Sequence, residues 1–553
     1  MKKEIVFGSG YINNNNEEMK NREEILIELN RLSSSRDFLE ILLILSNTHL
    51  NCTANKLATR DVKSILNENE IVFLFGLWAK NKNKNTEGFV DKQEISKRVH
   101  ELMNEYHQTY IPDISIFNTT KTFNEIARNN PDMIKESIFY SGTGAYDYQL
   151  ITFLDDKYNL DKEWLKQNKG FIIKEAQKLF IYIKSTFIYK LNSKKFNDNV
   201  IELYTIRKDN YIFKKNPSFI FLLNLLSFKM DESLNEEFND IGDLNHFKFR
   251  PVINTDSKFI IPLPNLLSES IYDGPFYWMN DDEKYLSTAA KNRGKSAENI
   301  VKSILERKIP NENIFLEVNV NVTKNETLTD LDVCVINGNK MLIFQVKSKR
   351  LTQLSKKGDI EGFHKDFKLA IQDANDQATK PIELIISNSC KLKSMLSGEN
   401  IDCEKIDEIH TACIVLDSYP AITTHTRMFF FDEEKTPVTM SIFDLELLIE
   451  YIKDFDMLFD YIKKREEFSK YFIAETELSF FSKYIKSGLI KSSNADIEIL
   501  DNDFAQRFDY DYYVPLTLKF QKEFSTYIKD IGRNDFCFCG SGKKYKKCCS
   551  EKC

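Results

Sequence analysis

Apolar residues recur at helical spacing from the start of the chain to about Asn245, as in residues 23–29, 38–50 and 171–191, and predict a mainly helical N-terminal region. The asparagine tract 13–16, the run 80–85 and Ser141-Gly142-Thr143-Gly144 separate these stretches as loops or helix ends. Residues 247–279 change character: prolines at 251, 262, 264 and 275 and short β-type runs such as 259–261 predict a linker. No repeat of fixed period is present.

Between residues 285 and 308 the apolar positions Ala290, Ala297, Ile300, Val301, Ile304 and Leu305 predict a helix with one buried face, ended by Pro310. Three β-type segments follow at 314–322, 331–336 and 341–348, the last two joined by the hairpin turn Asn337-Gly338-Asn339-Lys340. A helix over 363–378 and strands over 382–386 and 411–416 come next, then helical pattern from 441 to about 480 and an aromatic-rich connector over 504–531. The expected organisation is α+β and multidomain. It comprises a helical region over 1–280, an αβββαβ domain over 284–430, a helical connector over 437–530 and a small tail over 531–553.

With 553 residues the chain has room for about three or four folding units. Its 42% apolar and 29% charged residues, with few glycines and prolines, exclude collagen-like and disordered classes. A net charge of -7 means that contact with nucleic acid needs local basic patches. No apolar run approaches the ~20 residues of a membrane span, and the opening residues lack a secretory pattern, so a cytoplasmic location is expected. Thiols stay reduced there, which makes cysteine spacing informative: five of ten cysteines fall in the last seventeen residues.

Strand parity puts Gln345 and Lys347 on one face, and the hairpin brings Asp332 alongside. On the preceding helix Glu298 aligns with Val301 and Leu305, at the edge of the apolar stripe. Such a set suits a hard divalent cation such as Mg²⁺ or Mn²⁺. Asp332 would be the main ligand, Gln345 would offer its amide oxygen, Glu298 would act directly or through water, and Lys347 would position the attacking water on a phosphodiester.

Glu298, Leu331-Asp332 and Gln345-Val346-Lys347, in this element order, resemble the PD-(D/E)xK nuclease superfamily, the restriction-endonuclease-like fold, in the glutamine variant of Mrr-like enzymes. The resemblance spans about residues 284–430. It implies metal binding by Asp332 and Gln345, catalysis by Lys347, a supporting acid at Glu298, DNA as the substrate and a role in defence against foreign DNA. Leu331 stands where the motif has proline and Gln345 where it has an acid; Asp330 or Glu317 are the acids available to compensate. Lys349, Arg350, Lys356 and Lys357 continue the positive run begun by Lys347 and are the candidate nucleic-acid contacts, with a loop over 355–358 covering the substrate. The alternative is a non-catalytic nucleic-acid-binding scaffold whose tail recruits a protein.

In the tail, Cys537, Cys539, Cys548 and Cys549 surround the turn Gly540-Ser541-Gly542 with a spacing that can close a tetrahedral zinc site. Residues 532–550 resemble the SEC-C zinc motif, found on many unrelated bacterial proteins, which implies zinc ligation by these four cysteines and a docking role toward protein or nucleic acid. Arg533, Lys543, Lys544, Lys546, Lys547 and Lys552 face only Asp535 and Glu551, a net of +4 that suits an anionic partner. No P-loop pattern appears, and the dispersed Cys52, Cys334, Cys390, Cys403 and Cys413 read as structural.

Overall fold

Burial alternates along Ile314–Thr323, with Ile314, Leu316, Val318 and Val320 inside, and this period of two sets the first strand of a seven-stranded mixed sheet. The computed structural model describes residues 21–50, 65–111, 123–140, 144–193, 199–324, 326–417, 423, 426–429, 436–474, 476–491, 498–500 and 509–550. Residues 13–16, Cys52, Ser141 to Thr143, the start of the connector at 504–508, Glu551 and Lys552, all considered above, lie outside them, as does Cys553. The chain divides into two compact units.

The larger unit, Thr119–Gly170 with Phe276–Leu516, holds the sheet. Its strands are β1 (Ile314–Thr323), β2 (Glu326–Asn337), β3 (Lys340–Lys347), β4 (Lys391–Ser394), β5 (Asn400–Ile401), β6 (Glu408–Val415) and β7 (Val438–Ser441), in the spatial order β7-β6-β3-β2-β1-β4-β5. β1, β2 and β3 form an antiparallel meander, and β6 and β7 add in parallel beside β3. β2 and β3 are central, which explains their near-continuous buried runs, Leu331 to Ile336 apart from its half-exposed last residue and Met341 to Val346. Gly338, at φ +64°, allows the tight turn between them.

Helix Leu286–Leu305 packs against β1, β2 and β3 through Ala297, Ile300, Val301, Ile304 and Leu305. The predicted helix over 363–378 is present as Ile360–Phe367 and Asp373–Thr379, joined by a wider π-helical turn at Lys368–Gln372. The helix, the three-stranded meander and the helical stretch after it are therefore present in the expected order, and β6 joins beside β3 only after the short strands β4 and β5.

Two expectations fail. Ile382–Ile386 is a helix, not a strand. An apolar run of five residues suits either state, and Pro381, which lacks an amide for a sheet, sits at the helix start instead. Nor is the 247–279 stretch a linker. It supplies strands Val252–Asn254 and Lys258–Ile260 and the helix Pro264–Asn280, and Pro251, Pro262 and Pro264 mark the ends of these elements.

The smaller unit joins Met1–Asn118, Phe171–Pro275 and Thr517–Cys553. Helices Arg22–Ser33 and Glu68–Asn81 begin with capping boxes, Asn21 with Glu24 and Asn67 with Glu70. Ile25, Leu29, Phe38, Phe73, Phe75 and Tyr106 are buried in its core. A four-stranded sheet runs Thr205–Arg207, Lys258–Ile260, Val252–Asn254, Ser227–Lys229 in spatial order. Among the described residues no helix is long and apolar enough to cross a membrane.

Candidate functional site

One register step beyond the Val333–Phe344 pair, Asp332 of β2 faces Gln345 of β3, so their side chains share a face. The Asp332 amide donates to Gln345 Oε1 at 3.4 Å, and Asp332 Oδ2 accepts from the Val346 amide at 2.7 Å. Lys347, two residues on, lies on the same face and donates to Gln377 Oε1 at 2.5 Å, which also accepts from Gln345 Nε2 at 3.3 Å. The aspartate, the amide and the ammonium of the sequence reading thus come together. Gln377, on helix Asp373–Thr379, is a member that sequence reasoning missed.

Asp332 is 9% exposed and Gln345 fully buried, whereas Glu298 is half-buried. Burial pushes the Asp332 carboxyl up to about 6, against the opposing pull of the Lys347 charge and the Val346 amide. Burial, then repulsion from Asp332, Glu317 and Asp330, pushes Glu298 up to about 7. The charges of Glu317 and Asp330 thus act on both Glu298 and Asp332. Glu317 sits in β1 with φ +49°, a left-handed backbone uncommon for a residue with a side chain, and its carbonyl accepts from the Met395 amide at 2.9 Å. Among the described residues, however, the four tail cysteines alone bring three or more His, Cys, Asp or Glu ligand atoms within 4.8 Å of one another.

The basic run is more engaged than its sequence suggests. Lys349 pairs with buried Asp366 at 2.8 Å, and Arg350 pairs with Asp417 at 3.2 Å while its guanidinium lies over Phe276. Lys356 is half-buried and Lys357 exposed. The expected covering loop over 355–358 is instead the short helix Gln353–Lys356 and the turn after it. Ser355 is buried and donates to Asp366 at 2.6 Å, which fixes the segment. Burial opposes ionisation of Asp366, but hydrogen bonds from Lys349, Ser355 and Thr352 outweigh it and hold its pKa below the ordinary value. Asp417 also meets Arg293 and Lys157, so three cations converge on one carboxylate at the end of β6.

The tail cysteines Cys537, Cys539, Cys548 and Cys549 are all buried and within 4.8 Å of one another. Sγ–Sγ distances of 3.5 Å for Cys539–Cys548 and 3.7 Å for Cys548–Cys549 approach the ~3.8 Å that ~2.3 Å Zn–S bonds give in a tetrahedron. Gly540 and Gly542, at φ +73° and +72°, turn the chain between the cysteine pairs, and the Cys537 amide closes the turn on the Lys543 carbonyl at 2.9 Å. Hydrogen bonds from Cys537 and Cys539 hold Cys548 well below the ordinary thiol range, while the same neighbours push Cys549 well above it. Four cysteine sulfurs this close form a donor set that fits zinc, which would hold them as thiolates.

The tail is thus a four-cysteine cluster that fits a zinc site. Residues 533–551 match the family model described as SEC-C motif, so the chain carries that motif at this end. No curated protein and no solved structure matches the chain.

Proposed function

We propose that the larger unit is a metal-dependent nuclease that hydrolyses phosphodiester bonds in DNA, with Asp332, Gln345, Lys347 and Glu298 as its site. The observation that carries this reading is the convergence of Asp332, Gln345 and Lys347 on one face of neighbouring strands, linked through Gln377. The two carboxylates and the amide are hard oxygen donors, which fits a Mg²⁺ or Mn²⁺ ion that keeps several waters. Asp332 and Glu298 would hold the cation. Gln345 would join by exchanging its long 3.4 Å bond to the Asp332 amide for the metal. Bound there, the ion supplies positive charge against the scissile phosphate. Lys347, held by Gln377, orients the attacking water and offsets charge developing on the phosphate oxygens. Defence against foreign DNA is the setting that the same resemblance suggests.

The test is cleavage of plasmid and linear DNA by the purified chain with Mg²⁺ or Mn²⁺. Cleavage lost in Asp332→Ala and Lys347→Ala, with the circular dichroism spectrum unchanged, supports the assignment. DNA binding without cleavage under either metal would replace it with a scaffold role.

A further inference from the structure

The cysteine motif is packed into the unit that contains it. Phe538, between the first two cysteines, is fully buried; its carbonyl accepts from the Tyr182 hydroxyl at 2.8 Å, and its ring meets Tyr189 and Phe524. A Cβ at Gly540 would lie 2.8 Å from Ile206 Cα and 2.9 Å from the Arg207 amide nitrogen, so only glycine permits this approach to the strand Thr205–Arg207. The final turn of helix Ile173–Leu191 adds Lys190, 1% exposed. Its ammonium donates to the Glu202 carbonyl at 2.9 Å and to the Thr205 carbonyl, one residue from the Ile206 backbone against which Gly540, next to Cys539, is packed.

A buried ammonium is unfavourable unless opposite charge accompanies it. Carbonyl dipoles alone carry no net charge; the Glu202 carboxylate supplies one negative charge that acts on Lys190, and four thiolates around a zinc dication would add two more in excess. We infer that the SEC-C motif of this chain is an internal clasp: metal held by its four cysteines completes the helical unit, and Lys190 is the positioning residue that balances the thiolate charge. The face carrying Phe538 and Gly540 is occupied by the chain's own helix and strand, and Arg533, Lys543, Lys544 and Lys547 remain exposed. This inference does not depend on the nuclease reading.

The experiment uses the full chain loaded with zinc, with hydrogen–deuterium exchange measured before and after metal removal by a chelator in a non-chelating reductant. Metal removal is expected to raise exchange in Ile173–Leu191 and Thr205–Arg207 while leaving β3 unchanged, and added zinc should reverse it. Lys190→Met should release zinc to a chromogenic chelator roughly tenfold faster or more, with Lys190→Arg in between. Should Lys190→Met not fold, Tyr182→Phe, which removes only the hydroxyl on the Phe538 carbonyl, serves instead and should also release zinc faster. Unchanged exchange after demonstrated zinc loss, zinc release as in the unaltered chain from the folded variant, or no zinc bound at all would each overturn the clasp.

Discussion

Gln377 Oε1 accepts a hydrogen bond from the Lys347 ammonium at 2.5 Å and thereby ties the lysine to Gln345, whose amide donates to the same oxygen. A lysine side chain has many rotamers, and one acceptor on a fixed helix selects among them. Gln377→Ala is expected to lower the rate of DNA cleavage about 10²-fold with little change in KM, whereas Lys347→Ala should remove activity outright; single-turnover assays separate the two. Equal losses of kcat and DNA affinity in Gln377→Ala would point to a substrate contact instead.

The raised carboxyls give the site a pH signature. In the folded chain Asp332 and Glu298 hold protons up to about 6 and about 7, while unfolded they release them near ~3.9 and ~4.3. Between those limits the fold binds more protons than the unfolded chain, so this pair makes the metal-free protein lose stability as pH rises through that window. A divalent cation needs both groups ionised. Cleavage should therefore increase from about pH 6 to about pH 8, and Mg²⁺ should raise the melting temperature more at pH 8 than at pH 6. Asp332→Asn should abolish the metal-dependent shift. A pH-independent effect of Mg²⁺ would place the ion elsewhere.

Asp417 holds Lys157, Arg293 and Arg350, and the Lys157 side chain is fully buried. Removing this carboxylate takes a shared counter-charge from Lys157, Arg293 and Arg350. Asp417→Ala is expected to destabilise the larger unit by about 3–5 kcal/mol in urea unfolding, with partial recovery on adding Lys157→Met. A loss below ~1 kcal/mol would show that the cations relax into solvent.

Gly540→Ala combines a left-handed backbone with a Cβ pressed against Ile206 and Arg207. It should destabilise the smaller unit by roughly 1–3 kcal/mol and speed zinc release, whereas Gly338→Ala should act only through its backbone, because nothing lies within 4 Å of its Cβ position. Comparing the two by thermal melting separates crowding from strain.

The meander and the cysteine site were legible because each rests on local periodicity or spacing. Strand parity alone set Gln345 and Lys347 on one face, and the turn at Gly338 brought Asp332 opposite. Gln377, Asp366 and Asp417 gave no comparable signal. Each is a lone polar residue whose partners are distant in sequence, as with Arg293 and Asp417, 124 positions apart. Helix Ile382–Ile386 was misread because five apolar residues cannot distinguish one period from another. The seating of Phe538 under Tyr182 depends on shape, across 356 positions, and no motif encodes it.

The smaller unit takes its third segment from Thr517 onward, after the whole stretch Phe276–Leu516, which belongs to the other unit. On a ribosome adding ~5–20 residues per second, helix Ile173–Leu191 would emerge and wait on the order of tens of seconds for the residues that cover it. A nascent chain stalled in that interval lacks the partners of aromatic side chains such as Tyr182 and Tyr189, which meet Phe524 and Phe538, so synthesis of this protein should lean on chaperones more than its size alone would require.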